Sequence, residues 1–236
     1  MRAHRVHALL MGGQACVFYG AAEFSRDADF AILADAANLA RLRRALKELR
    51  AEPIAVPPFE IKFLRNGHAI HFRCQHPDAL RMRVDVMARM RGVDSFEKLW
   101  KRRTTLQIPK GGKCDLMSLP DLVQAKKTQR DKDWPMIRRL IEANYFGNCD
   151  RPNAAQIKFW LLELRTPELL VEVAKKNLAR AKKLAGKRPL LRLALSGKMD
   201  KLEQAVAAEE QAERLKDKIY WTPLLMELEQ LRHPRC

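Results

Sequence analysis

The sequence predicts a mixed α/β (α+β) core, a sheet with flanking helices, over residues 1–150, followed by an all-helical region over 151–236. Three observations predict it. Apolar runs short enough for strands alternate with helical periodicities through the first part of the chain. Glycine, proline and asparagine punctuate those runs at turn-like intervals. Beyond Pro152 the pattern is helical throughout.

Residues 6–11 (VHALLM) read as a buried strand ending at Gly12-Gly13, and the small apolar residues of 14–22 as a short helix packed closely on a sheet. A second apolar strand starts near Asp27 and includes 30–33. Asp35 can cap a helix over 36–50, where Leu39, Leu42, Leu46 and Leu49 recur at spacings of three and four. Pro53, Pro57 and Pro58 close that region. Residues 59–64 and 68–74 flank Arg65-Asn66-Gly67, and Asn-Gly between two such runs predicts a β-hairpin. Residues 82–88 alternate like a strand, 95–102 read as helical, and 104–108 with 113–117 suggest a second hairpin around Gly111-Gly112. Two helices are expected over 119–129 and 134–145.

A change of character places a boundary near 148–153. Thr166-Pro167-Glu168 is a helix start: a cap, a proline in the first turn and an early acid. Leu169, Leu170, Val173, Ala174, Leu178, Ala181 and Ala185 form its apolar face. Further helical patterns cover 189–195, 199–219 and 223–232.

The formal charge is +17 and the pI about 10.0. Such an excess favours a polyanionic partner: nucleic acid, a nucleotide or an acidic protein. Apolar residues make up 47% of the chain, enough for a real core and against wholesale disorder. Cys16, Cys74, Cys114, Cys149 and Cys236 contain no CxxC pair and suggest neither a disulfide framework nor a cysteine zinc site. Reduced thiols in a cytoplasmic protein fit this usage. His68, His71 and His76 lie close in sequence, but their spacing matches no metal motif, and strand or loop positions account for them. The basic-then-apolar start is broken by Gly12-Gly13, and no stretch approaches the roughly 20 apolar residues of a membrane span.

Three acids stand out by position. Asp27 and Asp29 flank Ala28 at the start of an apolar strand, so their side chains point to one face. Two adjacent carboxylates on a hydrophobic sheet are costly without a cation or a donor. Asp85 sits between Val84 and Val86 in another apolar strand, and the three converge if those strands are neighbours. Hard oxygen ligands of this kind suit Mg²⁺ or Mn²⁺. By periodicity alone, salt bridges of these acids with Arg26, Arg81 or Arg83 account for them equally well. Gly12-Gly13 follows a strand and precedes a helix, where glycine lets a phosphate approach the backbone.

Met11-Gly12-Gly13-Gln14-Ala15, then Gly20, then Ser25-Arg26-Asp27-Ala28-Asp29-Phe30-Ala31 resembles the signature of the DNA polymerase beta-type nucleotidyltransferase superfamily. That signature is an apolar residue, Gly-Gly or Gly-Ser, a short helix, and an acid–apolar–acid strand. Val84-Asp85-Val86 is similar to its third acid. The small prokaryotic branch that includes the toxins of type IV toxin–antitoxin systems is the part it resembles most. There a later helix reads Lys, a few residues, Arg, then Lys-Asp, and Lys126-Lys127-Thr128-Gln129-Arg130-Asp131-Lys132-Asp133 is similar. The resemblance covers about residues 6–145.

It implies a metal-dependent enzyme that moves a nucleoside monophosphate from a triphosphate (NTP) to an acceptor hydroxyl on RNA, tRNA or protein, with a cognate antitoxin as a possible partner. Carried over, Gly12 and Gly13 face the triphosphate, Ser25 donates to a phosphate, and Asp27, Asp29 and Asp85 hold the metal. Asp85 also helps deprotonate the acceptor. Lys126, Lys127 or Arg130 neutralise triphosphate charge. Glu23 stands where similar chains often carry Arg, which leaves an alternative: a catalytically degenerate nucleic-acid-binding or antitoxin-like module. Residues 175–192 hold eight basic residues and no acid, a run that can follow a phosphate backbone or simply solvate a helix face.

Overall fold

The computed structural model describes residues 1–108 and 112–233. Its seven strands are β1 (Ala8–Met11), β2 (Asp27–Ile32), β3 (Glu52–Pro53), β4 (Ile70–Arg73), β5 (Arg83–Met87), β6 (Thr104–Ile108) and β7 (Gly112–Leu116). They form one mixed sheet in the order β3-β4-β5-β2-β1-β7-β6. β2 runs antiparallel to β1 and parallel to β5. The short α1 (Gly12–Phe18) follows β1 directly.

One face of this sheet is sealed by α2 (Ala36–Glu48), which Asp35 caps by accepting from the Asn38 N–H. Leu39, Leu42, Ala45 and Leu46 of α2 join Ile32, Ile70, Phe72, Val84, Val86 and Leu64 in a buried cluster. Strand alternation then commits the intervening side chains to the other face: Asp27 and Asp29 on β2, His71 on β4, Arg83 and Asp85 on β5. The hydrophobic seal on one side is what makes the opposite side the polar one.

Arg65-Asn66-Gly67 is not a hairpin turn. Residues Ile61–Asn66 form α3, and Gly67 caps it in the left-handed region (φ 111). Phe63 and Leu64 are buried, which a helix achieves with neighbouring residues and a half-solvated strand does not. Asn-Gly serves here as a helix stop.

The chain divides into two compact units, Met1–Lys126 with Ile219–Cys236, and Lys127–Lys218. The boundary expected near 148–153 falls inside the second unit. There α6 (Asp133–Phe146) and α7 (Ala154–Glu163) are joined by a Tyr145–Trp160 edge contact at 5.1 Å and by the Trp160 indole donating to Asn144. The helix expected over 119–129 ends sooner, as α4 (Phe96–Lys101) is followed by the hairpin strands and then α5 (Leu119–Ala125). Beyond it, side chains take over backbone groups. Asp217 accepts from the Gln129 N–H, and Thr128 Oγ1 donates to Asp133.

α8 (Pro167–Lys176) and α9 (Leu178–Leu184) are two helices where the apolar pattern predicts one. Asn177 breaks them, its side chain donating to the Val173 carbonyl. α10 (Leu191–Ser196) follows, and α11 (Met199–Arg232) is a single helix through Pro223 rather than two. The last turns of α11 belong to the first unit. Tyr220 and Leu224 lie over Gly67, and Glu227 meets the buried His68 at 2.7 Å. Gly111 of the expected second hairpin turn lies outside the described residues, while β6 and β7 pair antiparallel. Among the described residues Cys16, Cys74, Cys114 and Cys149 form no disulfide. Among the described residues no helix is long and apolar enough to cross a membrane.

Candidate functional site

A single cross-strand row crosses the polar face. β-Register sets His71 opposite Asp85, Asp85 opposite Asp29, and Asp29 opposite Met11. Asp27 pairs with Arg83 one pleat away on the same face. After Met11 the chain turns into α1 through Gly12, at φ +64. A Cβ there would lie 1.8 Å from Asp29 Oδ2, so glycine is the residue that lets the backbone pass this close to the carboxylate. The Gly13 N–H donates to Asp29. A Cβ on Gly13 would meet Ser25 Oγ at 2.3 Å. Ser25 Oγ in turn donates to the Asp27 carbonyl at 3.3 Å, and Gln14 fixes the Ser25 carbonyl at 2.7 Å.

The two acids in register differ electrostatically. Burial pushes the Asp29 carboxyl above the usual carboxylate range, and the charges of Asp85 and Asp27 add to it. The Gly13 N–H and the Lys126 charge offset only part of this. Burial acts on Asp85 in the same direction, but hydrogen bonds from His71 and Arg83 outweigh it and hold this carboxyl below its ordinary range. Arg83 Nε donates to Asp85 Oδ1 at 2.8 Å, and His71 Nδ1 stands 2.9 Å from both that oxygen and Arg83 Nη2. The sequence flagged Arg83 as a salt-bridge partner. It gave no role to His71, although the alternation of Ile70 and Phe72 with His71 and Arg73 points His71 to this face.

Among the described residues, no group of three or more His, Cys, Asp or Glu side chains is arranged to hold a metal ion. The donor chemistry of Asp27 and Asp29 suits a hard divalent cation, since Asp29 is crowded by like charge and only partly compensated. Asp85, by contrast, is turned to Arg83 and His71.

Lys126, one of the three basic residues expected at the phosphates, belongs to the first unit and its charge acts on Asp29. Lys127 pairs with Glu163 at 2.8 Å and Arg130 with Asp133 at 2.7 Å, both within the second unit. The basic run of 175–192 is also divided. Lys175, Arg180, Lys182, Lys183, Lys187 and Arg192 are exposed on α8, α9 and α10 or beside them. Lys176 is paired with Glu172, and Arg188 is buried, bound to Glu209 and to the carbonyls of Leu161 and Leu164.

No protein-family model matches this chain, and no curated protein matches it.

Proposed function

We propose that the chain is a divalent-metal-dependent nucleotidyltransferase. The acceptor oxygen attacks the α-phosphorus of a nucleoside triphosphate, the bond to pyrophosphate breaks, and the hydroxyl proton passes to a carboxylate. The observation that carries this reading is Asp29: a mostly buried, under-neutralised carboxylate in one face-sharing set with Asp27 and Asp85, touching a Gly-Gly turn. Mg²⁺ or Mn²⁺ held by Asp27, Asp29 and Asp85 would neutralise triphosphate charge and polarise a phosphoryl oxygen.

The chain's own groups do the rest. The glycine backbone of Gly12 and Gly13 allows close approach of phosphate, Ser25 offers a hydroxyl donor, and Lys126 adds positive charge beside Asp29. Lys127 and Arg130 pair with Glu163 and Asp133 within the second unit. Asp85 is a poor proton acceptor while Arg83 and His71 hold it, so this role requires Arg83 to release it. RNA, tRNA included, is the favoured acceptor, supported by the net charge and by the exposed bases of α8 and α9. The resemblance to type IV toxins supports a cytoplasmic toxin with a cognate antitoxin.

The Arg83–Asp85–His71 network favours a second reading, a non-catalytic nucleic-acid-binding or antitoxin-like module in which Asp85 is already neutralised. The deciding experiment incubates the protein with each labelled triphosphate, Mg²⁺ and total RNA or protein. Label on RNA or protein, lost in Asp29→Ala, supports transfer. No label with any triphosphate overturns it in favour of the second reading.

A further inference from the structure

α2 carries a separate charged feature on the side of the sheet away from Asp29. Leu39, Leu42, Ala45 and Leu46 face inward, so the helical period turns Ala37, Ala40, Arg44 and Lys47 outward, with Arg41 half-buried beside them. The chain ahead of β1 folds against this helix. Arg5 reverses it in the left-handed region (φ 52), its N–H donating to the Arg2 carbonyl at 2.8 Å. Together the two segments form a groove of about 610 Å³ lined by Ala37 and Ala40 with His4, Arg5, Arg41 and Arg44.

The charges in this groove are not neutralised from within. Glu48, the acid on the same helix, is engaged by His4 at 2.5 Å. Arg5 and Arg44, and Lys47 one turn further along the helix and outside the groove lining, have no acidic partner among the described residues. Arg41 braces its Nε on the Ala37 carbonyl at 3.3 Å. Arg41, Arg44 and Lys47 follow at three-residue intervals and so span about 9 Å of the helix axis. Like charges at such spacing repel one another, a cost that a polyanion removes.

We propose that this groove is a contact surface for the phosphodiester backbone of a nucleic acid, distinct from the acidic site and independent of any catalysis there. An open, water-exposed groove cannot desolvate a single small anion, so binding strength has to come from several phosphates with release of their counterions. The alanines leave room for a strand to approach the helix. A membrane surface is the poorer fit, because interfacial helices carry large apolar side chains between their bases and this face carries only alanine.

The test titrates the full-length protein with a fluorescent single-stranded RNA across a salt series. Wild type is compared with Arg41→Gln/Arg44→Gln/Lys47→Gln and with Arg44→Gln alone. The magnitude of the log affinity against log salt slope should fall by about one per phosphate contact removed, roughly three in the triple variant and one in the single. Arg41→Lys/Arg44→Lys should keep the wild-type slope, since charge carries the contact. Unchanged slopes in both Gln variants, or no RNA binding by the wild type, overturn the proposal. So does loss of binding to phosphatidylserine vesicles with RNA binding untouched. Label transfer from triphosphate is measured in parallel. Its absence alongside a groove-dependent RNA slope sinks the transferase reading and leaves the groove standing.

Discussion

Asp29 and Asp85 stand in register across the parallel β2–β5 ladder, yet the fold raises the pKa of one and lowers that of the other. Burial disfavours charge on both. Arg83 and His71 reverse that for Asp85, while Asp29 has the Gly13 N–H and the charge of Lys126 against two neighbouring acids. Stability and pH response at this site follow from the asymmetry, and under the proposed function metal affinity does too.

Asp29→Asn should stabilise the protein while abolishing triphosphate turnover. An acid whose folded pKa lies above its unfolded value binds its proton more readily in the native state. Its cost is therefore absent below the ordinary carboxylate range and develops as pH rises through the raised value. Thermal unfolding should show the Asp29→Asn variant melting at a higher temperature than wild type at neutral pH, with the gain shrinking toward about pH 3. Mn²⁺ should raise the melting temperature of wild type and not of the variant. A variant no more stable than wild type at neutral pH would show that Asp29 is fully compensated.

Arg83→Gln acts in the opposite sense. Asp85 has a depressed folded pKa, so its contribution is present above the ordinary carboxylate range and is lost as pH falls through the depressed value. Removing Arg83 should cost about 1–2 kcal/mol at neutral pH. That is less than the loss of a fully buried pair, because the Arg83 side chain is 39% exposed and water screens it. The difference should close in acid. Freed of its arginine, Asp85 should also bind Mn²⁺ more tightly with Asp27 and Asp29, measured by calorimetry. Weaker Mn²⁺ binding in Arg83→Gln would mean the arginine orients the acids rather than competing for them.

Gly12→Ala combines two penalties, a left-handed backbone and a methyl placed onto the Asp29 carboxylate. The backbone alone costs about 1–2 kcal/mol. Displacing Asp29 adds a functional loss, so Mn²⁺-dependent stabilisation should vanish even where the variant still folds. Denaturant titration with and without Mn²⁺ separates the two. Retained metal response would place the cation away from Asp29.

The basic run in the second unit should behave as two classes. Replacing the exposed Lys175, Lys182 and Lys183, with Lys176, by Gln should flatten the salt dependence of RNA binding and leave triphosphate affinity unchanged. Arg188→Ala should instead destabilise the fold by about 3 kcal/mol or more. It strands the buried Leu161 and Leu164 carbonyls and leaves Glu209 with only the longer Arg165 pair at 3.5 Å. RNA titration and urea unfolding read these out. An unaltered salt slope in the quadruple variant would reduce those lysines to a solvated surface.

The regular part of the fold was legible because it is written in periodicity. α2 shows its leucines at three and four, and β2 and β5 show one apolar face each, which is also why the acids could be placed by alternation. What was illegible depends on distant partners. Asn66-Gly67 carries the same local signal as a hairpin turn or a helix stop, and burial of Phe63 and Leu64 decides between them. Past the helix that ends at Ala125, the Gln129 N–H is captured by Asp217, a side chain far along the chain. At the start of α7, Asn153 and Gln156 form a reciprocal capping box, a local signal that fixes where the helix begins. At the site, the acids announced themselves by type and spacing. The pairing of Asp85 with His71 appears only once β4 is laid beside β5.

Closure of the first unit by the end of α11 has a consequence for synthesis. The buried His68 leaves the ribosome 159 residues ahead of its partner Glu227. At translation rates of about 5–20 residues per second, that interval lasts roughly 8–30 s. The second unit is continuous over Lys127–Lys218 and can close as soon as it emerges, while the first still lacks Tyr220, Leu224 and Glu227. The unit made first is thus the one finished last. Throughout the interval the surface around Gly67 and His68 is open to chaperones, or to any other helix able to imitate the one still being made.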